Sequence, residues 1–99
     1  MAEARERERA RLDVWRLEDG NVSLDIWLES SEPVETQELT QNVLAKLDRK
    51  GRIVGVEIVE LEALNREDIE ALPFEAKRLL HHLARRLAEV VEMAAEEPL

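Results

Sequence analysis

A chain of 99 residues makes one domain, and a domain of that size hides only about 60–65% of the surface its unfolded chain exposes, so association with another chain would help it. Hydrophobic residues at 44% and charged residues at 37% exclude wholesale disorder and a membrane protein, and the lack of cysteine excludes disulfides, a thiolate metal site and a cysteine nucleophile. The formal charge of −9 divides into +1 over residues 1–11, −7 over 12–64 and −3 over 65–99, which serves solubility, repels nucleic-acid phosphates and would attract a basic protein.

The opening stretch from Glu3 to Arg11 interleaves Glu and Arg with almost nothing to bury, so a charged flexible tail over residues 1–11 is expected ahead of a single α+β domain over 12–99. It has no apolar signal-peptide core, and no later run approaches the roughly 18 apolar residues of a membrane span, so a cytoplasmic location is expected. A first strand from Leu12 to Leu17, the turn Glu18-Asp19-Gly20-Asn21 and a second strand from Val22 to Leu28 follow. Val22, Leu24, Ile26 and Leu28 share one face of the second strand, and Ser23, Asp25 and Trp27 share the other. A three-residue loop at Asp19-Gly20-Asn21, the favoured register, sets Leu12 and Val14 on the core face and Trp15, Leu17 and Trp27 opposite. A two-residue Asp-Gly loop would instead turn Trp15 and Leu17 into the core.

Ser30 to Thr40 is polar and holds Pro33, so it reads as a loop or irregular edge before a third strand at Asn42 to Leu47. Arg49-Lys50-Gly51 turns the chain into a fourth strand, Arg52 to Glu60. There Val54, Val56 and Ile58 mark one face and Ile53, Gly55, Glu57 and Val59 the other. Gly51 reads as a turn residue needing positive φ, and Gly55 as a close backbone approach or a bulge. Asn65 is a helix N-cap with Glu67 and Asp68 in the first turn, and Leu64 and Ile69 are placed as a hydrophobic staple. Pro73 ends that short helix at Leu72 and starts a long one running to about Glu96. The expected fold is a four-stranded antiparallel meander, 12–61, followed by a short and a long C-terminal helix, 65–97, packed on one face.

Ala76, Leu80, Leu83, Leu87, Val90 and Ala94 recur at spacings of four and three, a heptad-like seam on the long helix. Some 23 residues make a helix of about 34 Å, against roughly 20–26 Å for strands of six to eight residues. The distal turns therefore overhang, and a single helical layer shields one sheet face only. Trp15, Trp27, Ile53 and Val59 on the uncovered face, with Leu83, Leu87, Val90, Val91 and Ala94 on the helix, are the expected interface of a homo-oligomer, most simply a dimer.

No cofactor, metal or catalytic residue is expected. Adjacent His81 and His82 point about 100° apart and cannot share a metal. Lys77, Arg78, Arg85 and Arg86 form a basic band without interleaved aromatics, which argues against nucleic acid. Asp25, Asp48 and Glu57 supply carboxylates but no accompanying base or metal signature, and Gly20, Gly51 and Gly55 form no phosphate-binding loop.

Over Val43-Leu44-Ala45-Lys46-Leu47-Asp48-Arg49-Lys50-Gly51-Arg52-Ile53-Val54-Gly55-Val56-Glu57-Ile58 the chain resembles the domain of unknown function 2283 family, a family of short prokaryotic proteins. Val22 to Leu28 looks like that family's earlier strand, so the resemblance spans about Val14 to Leu61. It implies a small antiparallel meander followed by helices, with no activity or catalytic residue to carry over. Because some members look like companions of small toxins, it also implies an alternative role as an antitoxin-like acidic partner of a small basic toxin or nucleic-acid enzyme. The long helix and the charged N-terminal stretch depart from the family pattern.

Overall fold

The computed structural model describes residues 11–96, with side chains from Arg11 to Ala94. Five strands, not four, form one antiparallel sheet: β1 (Arg11–Arg16), β2 (Val22–Trp27), β3 (Glu35–Thr40), β4 (Val43–Leu47) and β5 (Ile53–Ile58), in the spatial order β1-β2-β5-β4-β3. A 3-10 turn at Leu61–Ala63 leads to α1 (Arg66–Ala71) and α2 (Phe74–Glu96). The expected tail over 1–11 lies outside the described residues except for Arg11, which opens β1.

The extra strand is β3, inside the polar stretch expected to be a loop. Its side chains offer no apolar alternation, and Glu35 to Glu38 are all exposed; its backbone ladder to β4 makes it a strand. Charged residues on such an edge also discourage pairing with other chains. The simple meander is corrected as well, because residues 28–34 carry the chain across one end of the sheet. Leu28 and Glu29 donate backbone bonds to Val54, and Val34 donates to Leu47. The last strand, β5, thereby inserts between β2 and β4. With neighbours on both sides, Val54, Val56 and Ile58 are almost wholly buried.

The β1–β2 and β4–β5 hairpins use the same device. Leu17 donates to the Asn21 carbonyl and Asp48 to the Arg52 carbonyl, and each encloses a three-residue loop closed by a glycine of positive φ, Gly20 at 92° and Gly51 at 80°. That conformation costs glycine little, and the geometry matches strand twist. The first loop is Glu18-Asp19-Gly20, one residue earlier than expected. The faces are those of the three-residue reading: Leu12 pairs with Ile26 and Val14 with Leu24, while Trp15 stands opposite Ser23 on the other side.

The register of β4 against β5 shifts between Lys46 and Leu47, so Leu47 pairs with Ile53 while Lys46 pairs with Gly55. This bulge at Val54 changes the alternation beyond it, and Ile53 packs against the core cluster. The placement of Ile53 on the uncovered face is therefore corrected.

The core comprises Leu24, Ile26, Val43, Val56 and Ile58 from one sheet face with Leu72 and Ala76 from the helical segment, flanked by Leu12, Leu28, Leu64, Leu79 and Leu80. Asn65 caps α1 as expected, and the cap is reciprocal: Asn65 Oδ1 accepts from the Asp68 N–H at 2.9 Å, and Asp68 Oδ2 accepts from the Asn65 N–H at 3.1 Å. The amphipathic helix α2 seats only its first half. Ala76 is buried and Leu79, Leu80 and Leu83 are half-buried, but every residue from Ala84 to Ala94 is exposed. Thirteen residues from 84 to 96 extend about 20 Å. The radius of gyration, 15.7 Å, exceeds the roughly 12–13 Å of a compact domain of this size.

Candidate functional site

The described surface has two functional candidates: the sheet face turned away from the helices, and the projecting half of α2. The helical residues of the core cluster all meet the Leu24–Ile26–Val56 face, so the opposite face carries the remaining rows. One row runs Arg11, Trp27, Gly55, Lys46 and Thr36, and the next runs Asp13, Asp25, Glu57, Leu44 and Glu38.

Charge and local packing dispose of much of the apolar area expected here. Trp27 faces away from Leu24 and Ile26, as its position predicts, and lies flat on Gly55, where an added Cβ would sit 2.7 Å from Trp27 Cε3. Of the two roles read from the sequence, Gly55 takes the close approach, and the bulge falls on its neighbour Val54. The Arg11 guanidinium carbon covers the Trp27 ring 5.7 Å from its centroid. The Trp27 indole N–H is buried without a hydrogen-bond partner. Trp15 is 54% exposed, but its indole N–H donates to Asp25 Oδ2 at 2.9 Å. Lys46 Nζ stands 3.5 Å from Glu57 Oε1, both half-buried. Val59 is half-buried, its backbone N–H donating to the Asn42 carbonyl.

Val59 also borders a shallow depression of about 420 Å³ with Thr40, Asn42, Glu60, Asn65 and Asp68. These polar groups bind one another. The Thr40 hydroxyl donates to Asp68 Oδ1 at 2.7 Å, and Asn42 donates to the Glu60 carbonyl at 2.9 Å and to Asp68 Oδ2 at 3.4 Å. The Thr40 bond, aided by the Asn65 N–H and Asn42, holds the Asp68 carboxyl below the usual carboxylate range against the opposing effect of burial. The depression is a structural joint between the β3–β4 turn and α1.

The carboxylates weighed as a site do not converge. Asp25 and Glu57 face each other across β2 and β5, whereas Asp48 is committed at the other hairpin tip. Asp48 Oδ1 accepts from the Lys50 and Arg52 N–H groups, both at 2.9 Å, and Oδ2 meets the Arg52 side chain at 3.0 and 2.9 Å. The Arg52 N–H chiefly, with the Arg52 side chain and the Lys50 N–H, lowers the Asp48 pKa against burial. Among the described residues no group of three or more His, Cys, Asp or Glu is placed to hold a metal ion. His81 and His82 are exposed on α2.

Four of the helical residues singled out from the sequence form a continuous exposed stripe. Leu87 is 64%, Val90 44% and Val91 63% exposed, Ala94 is exposed, and half-buried Leu83 marks where the helix leaves the sheet. Met93, 61% exposed, flanks the same stripe; its polar-looking neighbours Glu89 and Glu92 hid it from a reading of the seam alone. No helix among the described residues is long and apolar enough to cross a membrane.

Residues 23–61 match the model of a family described as protein of unknown function (DUF2283). The similarity covers 39 of the 99 residues. The DUF2283 match takes in β2 to β5 and the first residue of the 3-10 turn, hence the four contiguous strands β2-β5-β4-β3. Strand β1 and both helices lie outside it, so the exposed stripe on α2 is carried by a part of the chain the DUF2283 model does not cover. No curated protein and no solved structure matches the chain.

Proposed function

We propose that this protein is a non-enzymatic, cytoplasmic interaction module that self-associates through the distal half of α2. The observation that carries the reading is the run of exposed Leu87, Val90, Val91 and Met93 on a helix that has already left its own sheet. Isolated apolar residues on a surface need no explanation, but contiguous large ones on a projecting element are a recurrent mark of interfaces. Water penalises that area until a second apolar face covers it. Sedimentation equilibrium of the full chain is expected to give twice the chain mass in the micromolar range. A monomer at tens of micromolar would overturn the reading.

A second reading rests on the open sheet face, where Asp13, Asp25 and Glu57 line up across three neighbouring strands with Glu38 further along the row. Such a row is complementary to a basic protein, in keeping with an antitoxin-like role, and opposes nucleic acid. Purification from the native host should then bring down a basic partner, lost on Asp25→Lys. Recovery of the chain with no basic protein decides against it.

A further inference from the structure

We infer that the partner on α2 is a second copy of this chain lying antiparallel, with the two-fold axis near Leu87. The inference rests on the self-association proposed above and adds the orientation and register of the contact.

Charge along α2 is segregated. Lys77, Arg78, Arg85 and Arg86 are the charged residues of 77–86, and Glu89, Glu92 and Glu96 are those of 87–96. The order runs against the helix macrodipole, which favours acids near the N-terminus and bases near the C-terminus. Only Glu75 in the first turn obeys it, and the last turn has no basic residue. An antiparallel copy offsets this arrangement, because its basic half lies along the acidic half of the first helix and its dipole is reversed. A parallel copy would align the two dipoles and run like charge blocks side by side. The block boundary falls between Arg86 and Glu89, so matching the blocks places the axis at Leu87–Ala88.

The apolar stripe agrees with this register. With Leu87 at the axis, Leu83 stands opposite Val91 of the second copy and Leu80 opposite its Ala94. Large residues thus meet small or branched ones in each layer. Leu80, packed on the core cluster, and Leu83 are half-buried, leaving part of each side chain for the second copy, while Leu87 is 64% exposed. The projecting half of each helix therefore covers the rooted half of the other. The site is isologous and closes as a dimer.

The chain has no cysteine, so single substitutions report geometry directly. Ala88→Cys and Ala94→Cys each add one small apolar thiol, and both variants are treated with a short bis-maleimide and weighed in solution. In the antiparallel dimer Ala88 sits beside its own copy, while the two Ala94 positions are about 21 Å apart along the axis. The expected result is a covalent dimer from Ala88→Cys and loss of that product in Ala94→Cys, with both variants dimeric before treatment. Cross-linking of both means a parallel pair and overturns the orientation while self-association stands. Cross-linking of neither, with dimeric mass, overturns α2 as the seam. Monomeric mass for the unsubstituted chain overturns the self-association itself.

Discussion

Gly51 and Gly55 are four residues apart, and the structure asks different things of them. At Gly51 an added Cβ meets nothing within 4 Å, and the only obstacle is the backbone at φ 80°. Gly51→Ala should cost about 1–2 kcal/mol, the left-handed penalty for a residue with a side chain, and Gly51→Asn less. At Gly55 the backbone is unexceptional, but the Cβ would sit 2.7 and 2.9 Å from two Trp27 ring carbons. Gly55→Ala should cost about 1–3 kcal/mol as overpacking, with a shift in tryptophan emission that Gly51→Ala lacks. Urea unfolding measures both, and a double-mutant cycle with Trp27→Leu should return a non-zero coupling for Gly55 only. Acid acts through Asp48 and Asp68, whose pKa values lie below the ordinary 3.8 in the folded chain. Their ionised forms are the ones bound by N–H and O–H donors, so the unfolded chain takes up protons first as pH falls. Their stabilisation is full above 3.8 and is lost as pH drops through the lower folded values. Asp48→Asn with Asp68→Asn should flatten the decline in melting temperature over that acid range.

Helix α2 behaves as two elements joined end to end. Leu79 is half-buried against the core cluster, so Leu79→Asp puts a charge into the packing layer and should lower the melting temperature at every concentration. Leu87 is 64% exposed, so Leu87→Asp should leave a folded monomer by circular dichroism and abolish the dimer in sedimentation. Equal loss of folding in both would contradict the division. This boundary was legible because the helix period exposes the apolar seam and the rise per residue exposes the overhang. The N-cap, the Pro73 break and the faces of β2 were legible for the same local reasons. Strand β3 was not, since Glu35 to Glu38 are polar on both faces and owe their conformation to the β4 ladder. Nor could parity place Ile53: it and Val54 are both apolar, and only the pairing across the sheet locates the bulge. The candidate site divided along that line. Its helical residues were fixed by periodicity, whereas the cover over Trp27 and the face of Ile53 depended on contacts distant in sequence.

For the whole molecule, extents of 53 × 41 × 26 Å describe a sheet-and-helix body with an arm, and an arm of that kind links stability to concentration. If folding and pairing of the arms are coupled, unfolding releases two chains, and mass action then stabilises the dimer by about 1.4 kcal/mol for each tenfold rise in concentration. Shared between two chains of this size, that is a rise in melting temperature of roughly 3–5 °C per decade. The Leu87→Asp chain should show no such slope, because its unfolding starts from a monomer. The sheet is common to both, so a difference in slope isolates the contribution of the arm. A flat dependence in the unsubstituted chain over two decades, with a melting temperature equal to that of Leu87→Asp, would mean that the exposed stripe contributes nothing to the native state.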